Sequence, residues 1–188
     1  MDHRDEAELS RKAYRALAAI IGSPPKHLIA SFRLWHYPLA GPQSSWAFFR
    51  EGIHDPLGSG ALVRTAVWDR DRDLERLHLG GRLRSWLDPS VVTTETPLEA
   101  SRLTEFIKEA GRLKLPANRV VRPYPTAAPS EFGLEGFDSE HRDGRRPNLH
   151  VEWNQDPPLQ LEAVSHWAAR VRAWVQAPVP RAHSDDST

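Results

Sequence analysis

His27-Leu-Ile-Ala-Ser-Phe-Arg-Leu-Trp-His-Tyr37 is the stretch that decides the fold of this chain. Such a run of apolar and aromatic residues, bounded by Pro24-Pro25 and Pro38, predicts a β-strand. Large side chains fall at both even and odd positions, so both faces of the strand are expected to carry buried groups. We therefore predict that the strand is central in its sheet or covered on both sides.

The residues that follow this strand predict an antiparallel meander. Residues 45–51 contain three aromatic side chains and predict a second strand, and residues 61–68 predict a third. The loop between them, 52–60, is rich in glycine and proline. Residues 69–95 are ambiguous: residues 69–79 fit either a helical turn or a long strand extension, Gly80-Gly81 breaks either element, and one more short strand is expected at 91–94.

Three helices and a hairpin are predicted around the meander. Residues 4–21 have the apolar spacing of an amphipathic helix. Thr96-Pro97-Leu98-Glu99 matches a capping box, with threonine as N-cap, and predicts that a second helix begins there. Residues 131–140 and 148–154 predict a hairpin. The last helix follows Pro157-Pro158, and its buried stripe is expected to comprise Leu161, Val164, Trp167, Val171 and Trp174.

The order of these elements predicts an α+β fold. We expect a single antiparallel, meander-like sheet of about five to six strands, with three helices packed mainly on one face. The length of 188 residues fits one domain, expected over residues 1–178, followed by a disordered polar tail at 179–188. The charged N-terminus, together with a longest apolar run of only Leu17 to Ile21, predicts a cytoplasmic protein without a membrane span.

The composition disfavours several classes of function. The 25 Lys and Arg residues balance 25 Asp and Glu, which argues against binding to nucleic acid or to an anionic membrane. The absence of cysteine excludes disulfides, thiolate zinc sites and a thiol nucleophile. The local motifs of serine hydrolases, phosphate-binding loops, zinc proteases and dinucleotide-binding folds are missing as well. These absences favour binding over catalysis, and no cofactor is predicted.

Histidines and carboxylates remain as candidates for catalysis or metal binding. His150 and Glu152 share one face of a hairpin strand, and with His141 across the turn they could supply two imidazoles and a carboxylate to a metal. His36 could act as a general base, and His54 lies in a long loop, where functional residues are common. For each of these, a chance grouping on a solvated surface is the alternative interpretation.

The string Asp69-Arg-Asp-Arg-Asp73 has the aspartate spacing of a calcium loop. Its sixth and twelfth positions, however, are Leu74 and Gly80, where such a loop needs glycine and a bidentate glutamate. We interpret the string as alternating charges on a solvated edge, where each ion pair contributes little.

Arginine and tryptophan are unusually frequent in this chain. Arginine outnumbers lysine by 21 to 4, and there are seven tryptophans. A GC-rich genome would account for the arginine, and most tryptophans are expected in the core, but both residue types also concentrate at protein-binding hot spots. The candidate interaction residues are Arg82, Arg84 and Trp86 in the ambiguous region, and Arg145 and Arg146 at the hairpin tip.

The C-terminal part resembles an arrangement found in many small bacterial α+β proteins. The residues that carry the likeness are Phe132-Gly-Leu-Glu-Gly136, Leu149-His-Val-Glu-Trp153, Pro157-Pro158 and the helix that follows. Some proteins of this kind resemble immunity proteins, which neutralise toxins. The likeness covers about 45 residues, and no functional residue is carried over from it.

The sequence therefore predicts a bacterial cytoplasmic protein that binds another protein by surface complementarity, with an immunity-like role as one form. The alternative is a small enzyme or metal-dependent hydrolase that uses His36, His54 or the face with His150 and Glu152. The oligomeric state is left open.

Overall fold

A computed structural model describes residues 3–22, 24, 28–51, 60–79, 88–113, 120–121, 131–137 and 149–177. The helices in this part of the chain are α1 (His3–Ala19), α2 (Arg70–Leu79), α3 (Ala100–Ala110) and α4 (Glu162–Gln176), and a short 3-10 turn, Leu159–Leu161, precedes α4. The strands are β1 (Leu28–His36), β2 (Gln43–Glu51), β3 (Gly60–Trp68), β4 (Val91–Glu99), β5 (Val120–Val121), β6 (Phe132–Gly136) and β7 (Leu149–Trp153).

All the strands in the described ranges belong to one sheet, in the order β4-β3-β2-β1-β6-β7-β5. Six strands pair antiparallel, and the two-residue β5 joins β7 in parallel. This arrangement confirms the predicted α+β class, the meander and the hairpin. It also confirms that the strand opening the meander is central, because β1 lies between β2 and β6. No helix in the described ranges is long and apolar enough to cross a membrane.

Helices cover both faces of the sheet. We call the two sides the α4 face, where α3 and α4 pack, and the α1 face, where α1 and α2 pack. The prediction was three helices mainly on one face, whereas the described residues form four, two on each face. The physical reason lies in β2, where Trp46 and Phe48 point to one core and Ala47 and Phe49 to the other. A sheet that is apolar on both sides must be covered on both.

A bulge in β1 determines which side chains reach which face. Strict alternation would place Ala30 and Phe32 on the same face, but the register with β2 shifts between them. Ala30 therefore packs on the α1 face and Phe32 on the α4 face. A bulge of this kind re-aims all the side chains that follow it, so Arg33 and Trp35 lie on the α1 face and Leu34 on the α4 face.

The described parts of the ambiguous region contain α2 and β4, and the predicted capping box is wrong. Thr96 and Leu98 lie in β4, opposite Val63 and Ala61, and α3 begins only at Ala100. Pairing along all of β3 satisfies more backbone groups than one local cap does, and the valines and threonines of β4 suit a strand.

The aspartate string is also not a solvated edge throughout. Asp73 in α2 is fully buried, and it accepts hydrogen bonds from Trp68 Nε1 at 2.9 Å, Ser90 Oγ at 2.7 Å and Arg76 Nη1 at 2.8 Å. Burial alone would raise the pKa of Asp73, but the hydrogen bonds from Ser90, Trp68 and Arg76 outweigh it and lower that pKa. Asp73 therefore ties α2 to β3 and to the residues before β4.

The apolar stripe of the last helix is confirmed. Val164, Trp167 and Val171 are buried, and Trp174 is half-buried. The expectation that most tryptophans are in the core is also met, since five of the seven are buried. The predicted tail at 179–188 lies outside the described residues.

Candidate functional site

The described candidates lie on three neighbouring strands of the sheet, β1, β6 and β7, but on opposite faces. His36 lies on the α4 face, while His150 and Glu152 lie on the α1 face. The other candidates fall outside the described residues, namely His54, His141, Arg82, Arg84, Trp86, Arg145 and Arg146.

The strand register sets three rows of residues across these strands. Two rows belong to the α1 face: Arg33, Glu135 and His150 in one, and Trp35, Gly133 and Glu152 in the next. The third row belongs to the α4 face and holds His36, Phe132 and Trp153.

On the α1 face, four charged side chains alternate in sign. Arg33 Nε lies 2.9 Å from Glu135 Oε2, although not in the direction of a hydrogen bond, and Arg33 Nη1 donates to the carbonyl of Leu17 at 3.3 Å. His150 Nδ1 donates to Glu135 Oε1 at 3.0 Å, and His150 Nε2 donates to Glu152 Oε1 at 2.7 Å. Each charge therefore has an opposite charge beside it.

This pairing fixes the protonation state of His150. Its hydrogen bonds to Glu135 and Glu152 raise the pKa of His150 to about 9, so the ring is a cation at neutral pH. Burial alone would raise the pKa of Glu135, but its hydrogen bond with His150 and the charge of Arg33 outweigh it and lower that pKa. A doubly protonated imidazole has no lone pair for a metal or for a substrate proton. Within the described ranges, no group of three His, Asp or Glu side chains is arranged to hold a metal ion.

Trp35 closes this face over a glycine. A Cβ on Gly133 would lie 1.8 Å from Trp35 Cζ2, so only glycine leaves room for the indole. The Arg33 guanidinium lies 4.7 Å from the centre of the Trp35 ring, and the His150 ring lies 5.6 Å away. Arg33 and His150 therefore pack against the Trp35 ring in addition to forming ion pairs.

On the α4 face, three rings stack in a row. His36 lies 4.5 Å from Phe132 and Phe132 lies 6.0 Å from Trp153, with planes inclined by only 13° and 10°. Neighbouring strands bring the rings together because the three residues are register partners. The result is an apolar, aromatic wall beneath α4.

A cavity of about 100 Å³ lies between this wall and α4. Its deep part is apolar, because Leu34, Trp46, Trp153 and Ala168 all line it and are all buried. Its rim is more polar and more exposed, and is formed by Gln155, Ser165, Ala169 and Arg172.

Arg172 is the charged group of this rim. Its guanidinium lies 5.4 Å from the centre of the Phe132 ring. Within the part of the chain that the structure describes, Arg172 has no carboxylate in salt-bridge range. Burial lowers the pKa of Arg172, with the charge of Glu131 opposing the shift, but a guanidinium remains protonated in proteins.

His36 differs from His150 in its charge. His36 Nε2 lies 3.4 Å from Glu131 Oε1, and both side chains are about one quarter exposed, at 28% and 27%. Burial and the charge of Arg172 lower the pKa of His36, although Glu131 opposes the shift. His36 is therefore mostly neutral at pH 7.

Sequence reasoning missed Arg172 and Glu135. Glu135 faces His150 only through the strand register, which no local pattern reveals. A usable signal for the cavity does exist in α4, where Ser165, Ala168, Ala169 and Arg172 recur at helical spacing beside the apolar stripe. Three small residues in such a row leave space against a wall of large rings.

Comparisons of the chain with protein-family models, with curated proteins and with solved structures found no match.

Proposed function

We propose that this protein binds another protein and receives one side chain of that partner in the cavity beneath α4. The observation that carries the proposal is the cavity itself, which has aromatic walls, a cationic rim and the volume of a single side chain. Small-molecule sites usually measure about 300–1,000 Å³, which is several times larger. Buried pockets that take one anchor residue are typical of binding hot spots.

The balanced charge of the chain supports a protein partner rather than nucleic acid. We further propose that the protein itself is cytoplasmic. An immunity-like role, in which the protein covers and neutralises a toxin, is the form suggested by the resemblance of the C-terminal part, from Phe132 through the last helix.

The test blocks the cavity without altering the core. Ala169 is exposed on the rim, so Ala169→Phe would place a ring across the mouth. Ala173→Phe is the matched control, because Ala173 is exposed on the same helix and does not line the cavity. Immobilised wild type and both variants would be exposed to extract of the source cells, and the captured proteins would be quantified by mass spectrometry.

We expect at least one protein to be retained by wild type and by Ala173→Phe, with at least tenfold less on Ala169→Phe. If all three proteins retain the same set in equal amounts, the cavity is not the binding site and the proposal fails. Urea denaturation of both variants checks that each is folded.

A second candidate, a small hydrolase, is favoured by one observation. His36 is mostly neutral and lies beside Glu131, which could orient it as a general base, while Arg172 could stabilise a developing anion. In the described chain, however, no hydroxyl group hydrogen-bonds His36. Hydrolysis of ester, amide or phosphate substrates that His36→Gln abolishes would establish this function, and binding alone predicts no turnover.

A further inference from the structure

We infer that the group entering the cavity is the C-terminal residue of the partner chain, with its apolar side chain inside and its carboxylate on Arg172. This inference rests on the proposed function and specifies its partner. It follows from three features of the cavity, namely its volume, its gradient of polarity and the unused donors of Arg172.

The volume sets the size of the side chain. A cavity of about 150 Å³ in an apolar protein core holds benzene, which has six heavy atoms. In proportion, about 100 Å³ holds about four heavy atoms. That is the size of the isobutyl group of leucine, with valine and isoleucine close to it.

The change from an apolar floor to a polar rim determines which part of the partner residue lies deepest in the cavity. The deep walls, Trp46, Trp153 and Leu34, are buried and apolar, while the half-buried Arg172 lies at the rim. An Asp or Glu side chain from a partner would carry its charge to the deepest point, where burying a charge is costly. An apolar side chain from the middle of a partner chain would suit the depth but bring only neutral peptide groups to the rim. A C-terminal apolar residue suits both, because its carboxylate lies beside its side chain.

The donors of Arg172 suit a carboxylate. A guanidinium presents parallel N–H groups that bind the two carboxylate oxygens together. In the described part of the chain, Arg172 donates no hydrogen bond and its guanidinium only lies over Phe132. The neighbouring carboxylate, on Glu131, contacts His36 instead. The fork is therefore available to a ligand.

The test compares short peptides that differ only at the C-terminus. A fluorescein-labelled Gly-Ser peptide ending in leucine would be titrated with the intact protein and followed by anisotropy, beside the same peptide as its C-terminal amide. A third peptide carries the leucine internally, and a fourth ends in lysine. Unlabelled 3-methylbutanoate, used as a competitor, tests whether a free small carboxylate suffices.

We expect the free-acid leucine peptide to bind at least tenfold more tightly than the amide, the internal-leucine or the lysine peptide. Arg172→Gln should lose that preference, and Arg172→Lys should retain part of it. Arg170→Gln is the matched control, since Arg170 lies on the same helix but pairs with Glu109 and is not among the residues that line the cavity. It should bind as wild type does.

Equal affinity for the acid and the amide, or no binding of any peptide up to millimolar concentration, would overturn the inference. If Ala169→Phe nevertheless fails to capture a protein that wild type captures, the proposed function holds, and the group that enters the cavity is not a C-terminal residue. A different outcome is that 3-methylbutanoate binds as tightly as the leucine-ended peptide and that Ala169→Phe captures the same proteins as wild type. The ligand would then be a free small carboxylate, and both the inference and the proposed function would be overturned.

Discussion

The two faces of β1, β6 and β7 use the same kinds of residue in opposite ways. On the α1 face, Arg33, Glu135, His150 and Glu152 alternate in charge, and each lies beside an opposite charge. On the α4 face, Arg172 lies over an aromatic wall beside a cavity, and Glu131, whose charge acts on Arg172, contacts His36. Charges that are all paired with one another stabilise the contact between strands, whereas a cation with unused hydrogen-bond donors at a cavity rim can bind a ligand.

The largest expected effect is a loss of stability when one glutamate of the α1 face is replaced, compared with the replacement of one glutamate of the α4 face. Glu135→Gln removes the carboxylate that Arg33 and His150 share. The guanidinium of Arg33, a residue only 5% exposed, then loses its carboxylate partner. Losing one member of a buried ion pair typically costs about 3–5 kcal/mol. Urea denaturation should therefore give a free energy of unfolding lower by about that amount.

Glu131→Gln is the control for this comparison. Glu131 is 27% exposed and lies beside a mostly neutral histidine, so its loss should change stability by less than about 1 kcal/mol. Equal losses from the two substitutions would mean that the α1 face is no more tightly coupled than the α4 face.

The next effect is a pH dependence of stability that comes from His150. Its pKa is about 9 in the folded protein, against about 6.5 for an ordinary histidine. A raised pKa stabilises the fold fully below about pH 6.5, and that stabilisation is lost as the pH rises through about 9. The free energy of unfolding should fall across this window by up to about 3 kcal/mol.

The same measurement on a variant assigns the effect. In His150→Gln, which keeps hydrogen-bonding capacity without the charge, the stability should be nearly flat between pH 6.5 and 9. The lowered pKa of Glu135 acts at the other end, stabilising the fold above about pH 4.5 and failing as the pH falls through its folded value. A wild-type profile that stays flat above pH 6.5 would contradict the cationic state of His150.

How far the sequence predicts these faces depends on whether the signal is local. The alternation of side chains along a strand correctly placed His150 and Glu152 on one face. Large side chains at both even and odd positions of β1 correctly predicted that this strand is central. Glu135 and Arg172 act through contacts distant along the chain, which depend on register and helix docking. The box at Thr96-Pro97-Leu98-Glu99 failed for the same reason, because pairing with β3 outweighed a local cap.

A smaller loss is expected where the α1 face is closed by Trp35. Gly133→Ala would place a methyl group 1.8 Å from Trp35 Cζ2, in the middle of a strand, so the indole or the backbone must move. Overpacking of this kind usually costs about 1–3 kcal/mol. Gly111→Ala is the control, since its Cβ would meet nothing closer than 3.6 Å and its φ is −64°. Urea denaturation should detect the first loss and little or none for the second.

The smallest effect concerns binding at the α4 face. Burial and Arg172 hold the pKa of His36 below 6.5, so His36 becomes a cation only as the pH falls below that value. The new charge attracts an anionic ligand and draws Glu131 closer to His36 and away from Arg172. A C-terminal carboxylate stays ionised down to about pH 4, since its ordinary pKa is about 3.5. The leucine-ended acid peptide should therefore bind more tightly as the pH falls from 7.5 towards 4.5, by about two- to fivefold once His36 is protonated, as expected for one partly screened charge. In His36→Gln the affinity should not depend on pH in this range, and a wild-type affinity that weakens with acidification would show that His36 does not act on the ligand.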